Sequence, residues 1–169
     1  MPEISDVLVN EKAGALVEAF RRAKKTFGTA ESCTGGLISK SVTDIAGASE
    51  IYLGSVISYA NSVKAGLLGV SEKTLSAVGA VSADVAMQMA LGARDALGVD
   101  VAVSVTGIAG PGGGTEEKPV GLVYIAACFG DDKVVCQKFG FTGDRADIRR
   151  QSAVAAMETA MNALTDINR

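Results

Sequence analysis

The run Val101-Ala102-Val103-Ser104-Val105-Thr106 is almost wholly apolar and lacks the polar alternation of a strand with one wet face. It predicts a strand covered on both faces, the arrangement that helices on either side of a sheet provide. Working upstream, Ser82 is a good N-cap for a helix with Ala86, Ala90, Ala93 and Leu97 among its apolar positions, stopped by Gly98. Asn61 to Val78 reads as two short helices broken near Gly69 and Ser71, and Ile51 to Tyr59 as a strand. Before it come a helical segment from Leu37 to Ile45 and an extended run from Thr26 to Glu31. Ala13, Leu16, Val17 and Phe20 make one apolar face of a first helix from Asp6 to about Lys25, where Lys24 and Lys25 suit the negative pole of the dipole. Downstream, Gly107 to Pro119 is a loop. Gly121 to Phe129 and Lys133 to Phe141 form a hairpin across Gly130-Asp131-Asp132, and Asp144 starts a last helix with Val154, Met157, Met161 and Leu164 on one face. The order α-β-α-β-α-α-α-β-β-β-α predicts an α/β fold: a three-layer α/β/α sandwich with a mixed sheet. No linker or repeat divides it, so residues 1–169 are read as a single domain.

Composition then restricts the chemistry. Among 169 residues there is no histidine, so neither a Ser-His-Asp nor a Cys-His hydrolase is possible, nor a zinc site built on imidazole. Acid–base work falls to Lys, Asp, Glu, Tyr, Cys or a bound ion. The formal charge of −3 offers no basic face to nucleic acid. Cys33, Cys128 and Cys136 are odd in number and form no CxxC pair, which argues against a disulfide framework or metal knuckle and suits small core residues. With 5% aromatic residues and 20 glycines, the core is one of Ala, Val, Leu and Ile joined by tight turns. No run of about 20 apolar residues suggests a membrane span, and the expectation is a soluble cytoplasmic protein.

Three segments at strand ends carry the candidate chemistry. In Ala30-Glu31-Ser32-Cys33-Thr34-Gly35-Gly36, a strand meets a helix, where unpaired N–H groups can hold an anion or oxyanion and Gly35 and Gly36 allow close approach. Ser32 and Thr34 offer hydroxyls and Cys33 a thiol whose pKa a helix N-terminus can lower; equally, Ser32 or Thr34 can simply cap the helix. In Ser58-Tyr59-Ala60-Asn61-Ser62-Val63-Lys64, Tyr59, Asn61 and Lys64 fall within two turns. Lys64 is either a solvated charge or, if desolvated, a neutral amine able to take a proton from a serine. The third, Thr106-Gly107-Ile108-Ala109-Gly110-Pro111-Gly112-Gly113-Gly114, has no helix after it and no Gly-Lys-Ser/Thr ending. It is therefore neither a dinucleotide fingerprint nor a Walker A loop. A ligand-facing flap and a plain loop both fit it. Thr142-Gly143-Asp144-Arg145, with Arg149 and Arg150, suits a phosphate receptor or an N-cap with a salt-bridged surface. Glu116, Glu117 and Lys118 read as a solvated loop tip.

Together these segments resemble the CinA C-terminal domain family, the nicotinamide-nucleotide amidohydrolases. The likeness rests on Ala30–Gly36, on Ser58-Tyr59-x-Asn61-x-x-Lys64 and on Gly79-Ala80-Val81-Ser82. It extends through Thr106-Gly107-Ile108-Ala109-Gly110-Pro111-x-Gly113, Pro119-Val120-Gly121 and Phe141-x-Gly143-Asp144-Arg145-x-x-Ile148-Arg149. Longer members carry an additional N-terminal domain linked to metal-dependent pyrophosphatase activity, so only the amidohydrolase half carries over. The resemblance implies a metal-independent, cofactor-free deamidation of nicotinamide mononucleotide to nicotinic acid mononucleotide and ammonia. Ser32 would be the nucleophile and Lys64 its base, with Tyr59 or Thr106 orienting Lys64 or relaying protons. Thr34, Gly35, Gly36, Asn61, Thr106, Gly107, Gly110, Gly112, Gly113 and Arg145 are the expected substrate-binding residues. The oxyanion is expected on N–H groups around Thr34, Gly35 and Gly36, and the phosphate near Arg145 or the Gly110–Gly114 loop. The partner implied is a small nucleotide, and the implied assembly a homo-oligomer, dimer or higher. A non-catalytic nucleotide-binding module and a cysteine amidase using Cys33 are the competing readings.

Overall fold

The structure, a computed structural model, describes residues 5–167. Its helices are α1 (Asp6–Ala23), α2 (Leu37–Thr43), α3 (Asn61–Leu68), α4 (Glu72–Val78), α5 (Ala83–Leu97) and α6 (Arg145–Ile167). Its strands are β1 (Phe27–Glu31), β2 (Tyr52–Ile57), β3 (Val101–Gly107), β4 (Leu122–Phe129) and β5 (Lys133–Gly140). The expected order of elements is the observed one, with one addition. A single 3-10 turn, Ala48–Glu50, lies between α2 and β2, too short to leave a periodic signal.

The sheet runs β2-β1-β3-β4-β5. The pairs β1–β2 and β1–β3 are parallel; β3–β4 and β4–β5 are antiparallel, so the sheet is mixed. Every residue of β1 and all but the last of β3 are buried, because helices cover both faces. On one face, α1, α2 and α6 enclose a core that includes Phe20, Phe27, Ile38, Val103, Ile125 and Met157. On the other, α5 presses Val85, Met89 and Ala93 against Ala30 and Ala102, with α3 and α4 outside it. This is the expected three-layer sandwich.

The connection from β1 to β2 passes through α2 on one face, and that from β2 to β3 through α3, α4 and α5 on the other. The carboxyl ends of β1 and β2 therefore lie at a topological switch point, the usual place for a ligand in an open α/β sheet. Gly92 of α5 lets α3 come close: a Cβ there would stand 1.9 Å from the Leu68 carbonyl oxygen. At the opposite end of the sheet, Asp100 accepts from the N–H and hydroxyl of Thr26 and from Lys25 Nζ, at 2.8, 3.0 and 3.1 Å. That cluster pins β1 to β3 at their starts.

Candidate active site

All three segments singled out in the sequence meet at the carboxyl edge of the parallel strands. Ser32 follows β1 directly, and its N–H donates to the Val105 carbonyl of β3 at 3.0 Å. Ser58 follows β2, and its N–H donates to the Glu31 carbonyl at 2.9 Å. Lys64 stands one turn into α3, on the face turned toward the sheet, and is 1% exposed.

The side chain of Lys64 reaches Ser32. Its Nζ lies 2.9 Å from Ser32 Oγ, 2.6 Å from the Ser58 carbonyl oxygen and 3.4 Å from that of Tyr59. Burial holds its pKa below the ordinary 10.5, with the neighbouring Cys33 acting weakly the other way. A neutral amine has two N–H donors and one lone pair. In the neutral form the two carbonyls would take those donors and the lone pair would face the Ser32 hydroxyl. The arrangement is that of a serine with an amine base in contact, without an imidazole.

The turn after Ser32 is built from an unexpected residue. Neither Ser32 nor Thr34 caps α2. Instead the buried Glu31 carboxylate accepts from the N–H groups of Gly36, Ile38 and Ser39 at 3.0, 3.1 and 2.9 Å, and from the Ser39 hydroxyl at 2.7 Å. Gly36 enters the helix with φ +91°, in the left-handed region that favours glycine. This capping engages two of the N–H groups expected to receive the oxyanion. The Gly36 N–H is committed to Glu31 and the Gly35 N–H to the Ser32 carbonyl at 3.1 Å. Among the described residues, no other residue takes the N–H of Cys33 or of Thr34. The hydroxyl of the fully buried Thr34 is also without a partner.

The remaining expected site residues divide. Tyr59 supplies its carbonyl to Lys64, but its exposed hydroxyl accepts from Arg145 Nη2 at 3.0 Å. Arg145 Nη1 also donates to the Gly110 carbonyl at 2.7 Å, so it ties together the segments after β2 and β3. Thr106 donates to the Ala80 carbonyl at 2.8 Å, and among the described residues no hydrogen bond joins it to Lys64. Gly107 is explained by packing, since a Cβ there would meet the Leu122 carbonyl oxygen at 2.8 Å. Gly112 and Gly113 are exposed in the loop. Asn61 is exposed and faces a separate cavity of about 490 Å³ with Glu72 and Leu75. A second cavity, about 460 Å³, is bordered by Ala109, Pro111, Val120, Arg145 and Arg149. Arg149 links it to the serine turn, donating to the Thr34 carbonyl at 2.6 Å.

Two further expectations need correction. The Cys33 thiol is not activated by the helix end: burial foremost, with the Glu31 charge adding to it, pushes its pKa from 9.0 up to about 11. Lys118 is not simply a solvated loop charge, because it donates to the Val78 carbonyl at 2.6 Å and closes the end of α4. The functional residue that sequence reading missed is Glu31. Its signal is a carboxylate immediately before the Ser-Cys-Thr-Gly-Gly turn, where a helix start calls for an anion.

This geometry has relatives. A family model described as the CinA C-terminal domain matches residues 9–164. The chain belongs to the CinA C-terminal domain family. A curated relative from Enterobacter agglomerans, named nicotinamide-nucleotide amidohydrolase PncC, is 53% identical over 132 residues, covering 78% of this chain and 80% of that protein. A CinA-like protein from Trichormus variabilis is 51% identical over 148 residues, covering 86% of this chain but 36% of its own length. The chain thus spans about a third of the CinA-like relatives and most of the shorter amidohydrolase. The crystal structure of competence/damage inducible protein CihA from Agrobacterium tumefaciens superposes with a TM-score of 0.85 at 40% identity, covering 95% of this chain and 96% of that one. A CinA superfamily protein from Klebsiella pneumoniae gives a TM-score of 0.89 at 29% identity, covering 94% and 98%. Among the described residues, no helix of this CinA domain is long and apolar enough to cross a membrane.

Proposed function

We propose that this CinA domain hydrolyses the carboxamide of nicotinamide mononucleotide to nicotinic acid mononucleotide and ammonia, using Ser32 as nucleophile and Lys64 as base. The observation that carries the reading is the buried Lys64 amine, 2.9 Å from Ser32 Oγ with its N–H donors directed at carbonyls. The amidohydrolase named among its relatives supports the substrate.

Neutral Lys64 takes the Ser32 proton as Oγ attacks the carboxamide carbon. The oxyanion that forms is received by backbone N–H groups of the turn after Ser32, a donor of this kind contributing roughly 3–4 kcal/mol. Lys64, now an ammonium ion, gives its proton to the departing nitrogen, and ammonia leaves an acyl ester on Ser32. Lys64 then takes a proton from water as the hydroxide attacks the ester, and returns it to the departing Ser32 Oγ, which restores both residues and frees the acid. The cationic pyridinium of the substrate helps keep Lys64 neutral in the complex, because like charges disfavour ionisation. The cavity beside Arg145 and Arg149 receives the phosphate. No cofactor or metal takes part, and the reading carries with it a cytoplasmic, homo-oligomeric protein.

Purified protein given the mononucleotide in the presence of a chelator is expected to release ammonia. Ser32→Ala and Lys64→Arg are each expected to lower kcat by at least on the order of 10³-fold, since a guanidinium cannot serve as a base near neutral pH. Full turnover in either variant overturns the pair. Tight binding of the nucleotide without turnover by the unaltered protein returns the domain to a binding module.

A further inference from the structure

The reaction sequence uses neither oxygen of the Glu31 side chain, although that side chain is 0% exposed and belongs to the residue directly before Ser32. Backbone and hydroxyl donors satisfy it. Gly36 and Ile38 N–H meet one carboxylate oxygen; Ser39 N–H, Ser39 Oγ and Thr29 Oγ1 meet the other, the last at 3.3 Å. Tyr52 closes the network by donating to Ser39 Oγ at 2.7 Å. The main chain of the same residue faces the other way. Its carbonyl accepts from Ser58 N–H at 2.9 Å, and the Ser58 carbonyl in turn holds Lys64 Nζ at 2.6 Å.

We propose that Glu31 is the positioning residue of the Ser32–Lys64 pair, its carboxylate fixing the turn that carries Ser32 while its carbonyl fixes the strand end that holds Lys64. The assignment rests on the reading of those two residues as nucleophile and base. The Glu31 carboxylate bridges from the residue before the serine to residues 36, 38 and 39, so the intervening residues form a closed turn. A glutamine has the same shape but replaces one acceptor oxygen with an NH₂ group. That group meets either the Gly36 and Ile38 donors or the Ser39 donors, and the turn opens on that side.

The test compares Glu31→Gln with Thr29→Val, which removes a hydrogen bond from the same carboxylate without touching the turn. Two rates are measured per folded molecule: turnover of nicotinamide mononucleotide, and covalent labelling of Ser32 by an aryl sulfonyl fluoride, read as intact mass. Glu31→Gln is expected to lower kcat and the labelling rate by at least tenfold, with KM within threefold. The pH midpoint of the rising limb of labelling should stay unmoved, because Glu31 acts by placement and not by altering the base. Thr29→Val is expected to keep both rates within twofold. A folded Glu31→Gln protein with unchanged labelling overturns the proposal, as does a loss in step with the folded fraction or one shared equally by Thr29→Val. If the mononucleotide is not turned over while Ser32 is still labelled, the substrate reading fails and the labelling rates alone decide the role of Glu31. A parent protein whose Ser32 does not react overturns both.

Discussion

A lysine serves as a base near neutral pH only where its ammonium form is disfavoured, and at Lys64 that condition comes from packing. α3 carries the residue inward, the side chain is 1% exposed, and no carboxylate pairs with Nζ among the described residues. On the proposed mechanism activity requires the deprotonated amine, so the rate is expected to rise with pH through the Lys64 pKa, which burial places below the ordinary lysine value of 10.5. Without histidine in the chain, no imidazole contributes to the limb. Cys33, one residue from the serine, is shifted the opposite way by the same physics. Burial disfavours its charged form too, and with a pKa of about 11 it holds little thiolate near neutral pH. Cys33→Ala is therefore expected to retain kcat within about threefold, and iodoacetamide to modify Cys33 slowly in the folded protein; loss of turnover on that substitution would revive the cysteine amidase.

At the scale of elements, the position of Lys64 depends on how closely two helices approach. Gly92 lies under the end of α3, and an added methyl group would overlap the Leu68 carbonyl at 1.9 Å. The contact is with backbone, so it is relieved only by moving α3, and Lys64 with it. Gly92→Ala is expected to destabilise the fold by about 1–3 kcal/mol and to reduce kcat in the molecules that remain folded. Urea unfolding combined with turnover per folded molecule checks both; unchanged activity would show that the position of Lys64 does not depend on this packing. The serine side is held by the tie from Arg149 to the Thr34 carbonyl and by the cap that Glu31 makes on α2. Short turns and single side-chain contacts of this kind escape periodicity. The 3-10 turn at Ala48–Glu50 and the long reach of Glu31 to Ser39 have no repeating pattern to betray them.

Across the whole molecule, patterning carried the architecture. The unbroken apolar run of β3, the amphipathic faces of α1 and α5, and the turn at Gly130-Asp131-Asp132 each follow from burial of one or both faces, and together they yield the observed sandwich. Ser32 and Lys64 were paired by the family resemblance, and they meet because both segments follow parallel strands whose carboxyl ends share one edge; the Tyr59 carbonyl contact was not legible. Whether Lys64 is dry, which N–H groups remain open, and that Asn61 faces a different cavity were not legible. These depend on the rotation of short helices and on partners distant in the chain. A neutral amine in contact with the serine is read out by NMR titration of the lysine side-chain Cε signals, with Lys64 assigned by its loss in Lys64→Arg. Lys64 is expected to titrate below 10.5, apart from the exposed lysines and in register with the rising limb of activity. A Lys64 that titrates with the others, or above them, would contradict the neutral amine.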